Sequence, residues 1–447
     1  MAERPFIVDR AAHLRGGVGG ETMVEAWIRW LLLHGVDRFY LRSFARRGLL
    51  TQIIFGQDGS LGASSAIEQV RQRGRLTKLS GVYVTADHEL CRRILRDNRF
   101  GAVAPNRPAV PKPVRWALAK TDRELPNLTE PPSMLVTDPP EHDRYRRLVG
   151  HAFSPKAITK LEKRAVEVTD ELLECLESKP QPDLIEDFAA QVPVAIIAEI
   201  LGLPADMHST MLKWGYNSAP LVDRALTWTA YRHAIEELAE VKQYFHQRID
   251  EITAEPGTDL LTVLVTSGEL NRREQMANAA LLLDAGFLTT VNLLGNGIAL
   301  LTSHPDQLEL LTAQPELWPS AIEEILRYDG PVRTTCRVAN CDVDVGDQRI
   351  KSGSLVLLSL TGANYDPGVF SDPERFDVTR FNAADHLAFS GGVHGCLGYR
   401  LARLEGVIAL RSLFERYPDL RLNGPPTPRR LANLHAYRTM PATLTGG

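Results

Sequence analysis

One cysteine in this sequence sits where a sulfur can do chemistry. It ends a glycine-rich stretch and opens a helical pattern, Phe389-Ser-Gly-Gly-Val-His-Gly-Cys396-Leu-Gly-Tyr-Arg-Leu-Ala-Arg-Leu-Glu405. Leu397, Leu401, Leu404 and Ile408 give the following helix an apolar face, and Pro418 stops it. A sulfur at a helix N-terminus meets unsatisfied N–H groups and the positive end of the dipole, and both favour thiolate. Gly392, Gly395 and Gly398 let a flat ligand approach the backbone. A thiolate on such a loop, beside an aromatic ring, suits a metal macrocycle. The plainer alternative is a buried structural cysteine.

Other ionisable residues fall into pairs. His142 and Arg146 are one turn apart on one helix face and can hold anions. Glu324 and Arg327 stand three apart, an ion-pair spacing that contributes little by itself. Asp284 and Leu288 are one turn apart at the start of a stretch, Ala285 to Pro305, whose only ionisable residue is His304.

Composition excludes several classes. Of 447 residues, 44% are hydrophobic and 24% charged, the profile of an ordinary globule. Lys plus Arg is 51 and Asp plus Glu 55, a net charge of −4, so no basic excess exists to hold nucleic acid. Five cysteines at wide spacing, with no Cys-x-x-Cys, predict neither a disulfide framework nor a zinc site and suit a reducing cytoplasm. No signal peptide is predicted. Val24 to Val36 reads as an amphipathic helix too short to span a bilayer, packed on the protein through Val24, Trp27, Ile28, Leu31 and Leu32. Ala285 to Pro305 is long enough to span, but its Thr, Asn, Ser and Gly content predicts a core helix and no transmembrane segment.

The elements that must position these residues are mainly helical. Periodicity predicts helices at 157–177, 192–202, 228–252, 258–268, 275–303, 306–313, 317–328 and 397–417, with a short one at Asp87 to Leu95. Strands are predicted at Val82 to Thr85, Cys341 to Val345 and Leu355 to Leu360, with a turn at Gly346-Asp347. Pro105 to Pro140 holds nine of the 28 prolines and is expected to be a packed cover over a site. The fold class is mainly α with a small β region.

Phe389, Gly392, His394, Cys396 and Gly398 match Phe-x-x-Gly-x-His-x-Cys-x-Gly, and the sequence there resembles the haem-binding signature of the cytochromes P-450. The resemblance extends over most of the chain. It implies a single haem domain, 41–447, after an N-terminal extension, 1–40, with haem b between the long central helix and the cysteine helix. Cys396 would be the iron ligand. His142, Arg146, Arg337 and His394 would hold the propionates, with Phe389 and Gly398 against the macrocycle. Ala285, Gly286 and Thr289 correspond to the oxygen-activation segment, where the glycine would permit a widened turn. Glu324, Arg327 and a later arginine, Arg375 with Arg380 as substitute, would form a structural network.

The sequence departs from the family where an acid usually precedes the threonine, because Leu288 stands there. Asp284 is then expected to bind a polar substrate group, to replace part of the proton relay, or to be satisfied locally. The activity implied is insertion of one oxygen atom from dioxygen into a hydrophobic small molecule of lipid, steroid or polyketide type. Electrons would come from a separate ferredoxin or flavodoxin with its reductase, docking on Arg92, Arg93, Arg144, Arg147, Arg400 and Arg403. Two alternatives stand beside it: a haem-thiolate enzyme using peroxide or catalysing isomerisation or dehydration, and a non-catalytic helical binding protein.

Overall fold

The computed structural model describes residues 23–43, 48–55, 65–346 and 348–444. Its axis is the helix Arg272–Ser303. Asn271 starts it with a capping box: its side chain accepts from the Glu274 N–H at 3.0 Å, and the Glu274 carboxylate accepts from the Asn271 N–H at 2.9 Å. A helix apolar on most sides must be covered on most sides. Gln191–Leu201, His208–Ser218, Trp228–Ala254, Trp318–Asp329 and Tyr399–Arg416 cover this one. It is long and apolar enough to cross a membrane, yet most of it lies in the core. A Cβ on Gly297 would stand 2.5 Å from Leu410, so the glycine sets how closely the cysteine helix Tyr399–Arg416 approaches.

The β region is small. One sheet runs in the order Thr77–Leu79, Val82–Thr85, Leu355–Ser359, Thr334–Ala339, Phe100–Gly101. Its pairs are antiparallel except Val82–Thr85 with Leu355–Ser359, where Val84 faces Leu357 in parallel. Val343–Val345 pairs with Gln348–Ile350 across a turn whose Asp347 lies outside the described residues. Near the C-terminus Thr427–Pro428 pairs with Tyr437–Thr439. The proline-rich segment folds around the helix Lys112–Lys120 and a short turn at Met134–Val136.

Helical backbone runs from Met23 to Ser43; residues 1–22 of the expected N-terminal extension lie outside the described part. Its orientation differs from the expected one. Val24 and Trp27 are exposed, whereas Arg29 is buried. Arg29 donates to the Leu118 carbonyl at 2.6 Å and pairs with Glu130, and Trp30 Nε1 donates to the Leu226 carbonyl at 3.0 Å. An ion pair and two carbonyl bonds fix the inward face where hydrophobicity alone would have turned Val24 and Trp27 inward.

Candidate active site

The cysteine loop is shaped by backbone contacts. The Cys396 N–H donates to the Phe389 carbonyl at 2.9 Å, and the Gly395 N–H to the Gly392 carbonyl at 3.0 Å. Gly392 has φ +66°, and a Cβ there would stand 2.1 Å from the Leu95 carbonyl oxygen. That glycine is required by the helix His88–Arg96 behind the loop and not by a ligand. Gly398 has the ordinary φ −84°, and a Cβ there would meet nothing nearer than Phe153 at 3.9 Å. Protein packing leaves room at Gly398.

Cys396 retains accessible surface although protein surrounds it, as a residue lining an internal hollow does. Burial pushes its thiol up, opposed by the Gly398 N–H and the charges of Arg146 and Arg403. The expected thiolate therefore does not form from helix position alone. The helix begins at Tyr399, three residues on, and desolvation outweighs its end. Bonding to a metal deprotonates such a thiol outright.

A matching opening exists on the central helix. From Glu274 to Ile298 every residue is buried except Ala285, Gly286 and Thr289. The Thr289 hydroxyl donates to the Ala285 carbonyl at 3.1 Å. The helix is regular α throughout, so the widened turn expected at Gly286 is absent. A Cβ on Gly286 would stand 2.7 Å from Ile197, which explains the glycine by helix packing.

The donor set suits carboxylates. Arg337 is buried, yet its bonds go to neutral acceptors, Thr335 Oγ1 at 3.1 Å and the Cys336 carbonyl at 3.0 Å. A desolvated guanidinium with neutral partners favours an anion. The His142 and His394 rings lie 4.6 Å apart, edge to face. Burial lowers the His142 pKa, opposed by Asp143, whose carboxylate lies 3.3 Å from Nδ1. Arg146 is half-buried and makes no ion pair among the described residues. Asp138, which the sequence reading missed, bonds His394 Nε2 at 3.2 Å and the Ala102 N–H at 2.8 Å and pairs with Arg107. Its only sequence signal is its place in the proline-rich cover. Phe389 is half-buried beneath Arg403, whose guanidinium lies 4.7 Å above its ring.

Of the three readings of Asp284, local satisfaction matches the geometry: it is buried and accepts from Ser218 Oγ at 2.8 Å, and burial pushes its carboxyl up to about 6. Asp284 is turned toward Ser218, whereas Leu288, three residues after Ala285 and next to Thr289, is buried at the edge of the opening. Arg375 does not join the Glu324 network. Its side chain is exposed, and only its backbone carbonyl takes part, accepting from Arg327 Nη2 at 3.2 Å and Arg380 Nη2 at 2.8 Å. Arg380 takes the place, with Nε 3.2 Å from Glu324. Glu324 and Arg327 are fully buried and joined by two 2.7 Å bonds, and Arg327 also donates to the Asn364 and Pro373 carbonyls.

The most similar proteins agree in kind. The cytochrome P-450 family model matches residues 312–429. Cytochrome P-450 140 of Mycobacterium tuberculosis is 37% identical over 93% of this chain and 97% of its own. The chain belongs to the cytochrome P-450 family. Two solved P-450 structures share the fold. P-450BioI in complex with hexadec-9Z-enoic acid ligated acyl carrier protein has TM-score 0.79 and 31% identity, covering 85% of this chain and 98% of its own. Myxobacterial CYP267B1 in complex with myristic acid has the same score and identity, with 89% and 100% covered. This cytochrome P-450 is an oxidoreductase of the monooxygenase type, and members of its family bind haem b.

One buried acid is expected to make the stability of this P-450 depend on pH. Glu405 on the cysteine helix is pushed by burial up to about 8, with Thr290 of the central helix opposing. A carboxyl raised in the folded state holds its proton there and releases it on unfolding, so stability falls as pH rises from 4.5 through about 8. Glu405→Gln is expected to raise Tm at about pH 8 and leave it unchanged at about pH 4. Thermal denaturation at the two pH values checks this; an equal shift at both contradicts it.

Proposed function

We propose that the protein is a haem-thiolate monooxygenase that hydroxylates a hydrophobic small molecule of lipid, steroid or polyketide type in the cytoplasm. The observation that carries the reading is the paired opening: Ala285, Gly286 and Thr289 on an otherwise buried helix, and an accessible Cys396 inside the protein. Haem b, when bound, supplies the iron at which dioxygen is reduced. Cys396 would ligate the iron and Gly398 leave room for the macrocycle edge. Arg337, Arg146, His142 and His394 would hold its propionates. Thr289 would present its hydroxyl toward the substrate side, and Phe389 would shield the sulfur. The fatty-acyl ligands of the two solved relatives support a long apolar substrate.

The test is turnover of a fatty acid with a ferredoxin, its reductase and heavy-isotope dioxygen. One labelled oxygen atom in the product supports the reading. Product from peroxide alone, with none from the reduced chain of partners, would favour the peroxide alternative.

The redox partner would dock behind the cysteine loop, on the helix His88–Arg96. Three of the six arginines expected there are already paired: Arg144 with Glu274, Arg147 with Glu269 and Arg403 with Glu323. Arg92 and Arg93 are exposed, without ion pairs among the described residues, and Gly392 packs against their helix. Reversing Arg92 and Arg93 to Glu is expected to slow reduction by an acidic ferredoxin about tenfold at low salt. Stopped-flow rates across ionic strength measure it; an unchanged rate and salt slope places docking elsewhere.

A further inference from the structure

A hollow borders the central helix at Leu288 and Asn292. It holds about 670 Å³ between that helix, the end of His208–Ser218 and the C-terminal hairpin, a size ordinary for a small-molecule site. Leu288 and Leu434 give it an apolar wall, and Arg429, Arg430 and Arg438 line it together with Tyr216. The Arg429 guanidinium stacks 3.7 Å from the centre of the Tyr216 ring, which fixes its position. No Asp or Glu lines the hollow, and none of the three arginines forms an ion pair among the described residues. Arg29, Arg107 and Arg403 are paired with carboxylates elsewhere in this chain, whereas Arg429 is not. Here half-buried Arg429 is joined at one hollow by the exposed Arg430 and Arg438; Arg438 repels it, and Glu186, outside the lining, opposes that repulsion. Arg429 is partly desolvated, so its charge is held at a cost that an incoming anion would offset.

We propose that this hollow binds the anionic head of an amphiphile, a carboxylate or phosphate joined to a hydrocarbon body that lies on Leu288 and Leu434. Naming that amphiphile a substrate rests on the monooxygenase reading; the anion site itself does not. The planar forks of the arginines match either oxyanion, and the apolar wall selects against an inorganic ion.

The experiment is calorimetric titration of the haem-loaded protein with dodecanoate, dodecyl phosphate, dodecanol and inorganic phosphate. It is repeated on the double variant Arg429→Gln, Arg438→Gln, with circular dichroism and the carbon monoxide spectrum as checks of folding. The two anionic amphiphiles are expected to bind at least about tenfold tighter than dodecanol, the effect of a single charge-assisted hydrogen bond. The double variant should lose that margin and leave dodecanol unchanged. Equal affinity of dodecanoate and dodecanol in the parent protein overturns the proposal, as does a variant that binds all four probes like the parent. Inorganic phosphate binding as tightly as dodecyl phosphate overturns the amphiphile and leaves a free-anion site. Should the variant misfold, competition of dodecanoate by high salt in the parent decides: undiminished binding is the contradicting result. Anion selectivity in a protein without thiolate-bound haem would sink the monooxygenase reading alone.

Discussion

Glu324→Ala is expected to destabilise this P-450 by about 3–5 kcal/mol, the cost of leaving buried charges without their partner. Glu324 is fully buried between Arg327, at 2.7 Å, and Arg380, at 3.2 Å, and accepts from the Asp377 N–H at 3.0 Å. Removing it strands two guanidinium groups in the core, against a total stability of about 5–15 kcal/mol for a folded domain. The same network ties the Glu324 helix to the strand-poor segment around Pro373 that precedes the cysteine loop. Haem retention should therefore fall with stability. Arg380→Ala is expected to be costly in the same way, whereas Arg375→Ala should stay within about 0.5 kcal/mol because its side chain is exposed. Denaturant midpoints and haem content of the three variants measure this order. Equal losses at 375 and 380 would contradict it.

Leu288→Glu is expected to raise product formed per electron consumed severalfold. Inserting one oxygen atom of dioxygen into the substrate and reducing the other to water consumes two electrons and two protons, and an ionisable side chain next to Thr289 delivers the protons better than leucine. Leu288 is buried in the apolar core and also borders the hollow lined by Arg429, Arg430 and Arg438, where an introduced carboxyl can meet cations. Asp284, the nearest acid in the helix, is sequestered against Ser218. Asp284→Asn should consequently leave coupling unchanged, which separates a locally satisfied acid from a proton carrier. Product and reductant consumption measured together decide both; no gain at 288, or a loss at 284, would contradict the assignment.

Helix positions were legible because apolar periodicity survives in single segments. The reading 275–303 lies inside Arg272–Ser303, and 317–328 nearly coincides with Trp318–Asp329. The strand Thr334–Ala339 was missed because its neighbours are supplied by residues far along the chain, and no local alternation marks it. Cys396 was legible because the loop is a contiguous motif. The choice of Arg380 over Arg375 was not, because both stand within a few residues and only the packed chain decides which guanidinium turns inward. The same limit applied to Asp284. Its helical phase relative to Thr289 is one residue, and that residue turns it toward Ser218 instead of the opening. The arginine-lined hollow escaped notice since its lining comes from three separate segments.

The central assertion is that the sulfur of Cys396 bonds directly to haem iron. The carbon monoxide difference spectrum of the reduced protein, taken beside that of Cys396→Ala, tests it in one cuvette. A strongly red-shifted Soret band in the parent, absent from the variant, is the result expected of a thiolate ligand. A band of the imidazole-ligated type in the parent, or one that survives the substitution, would contradict it.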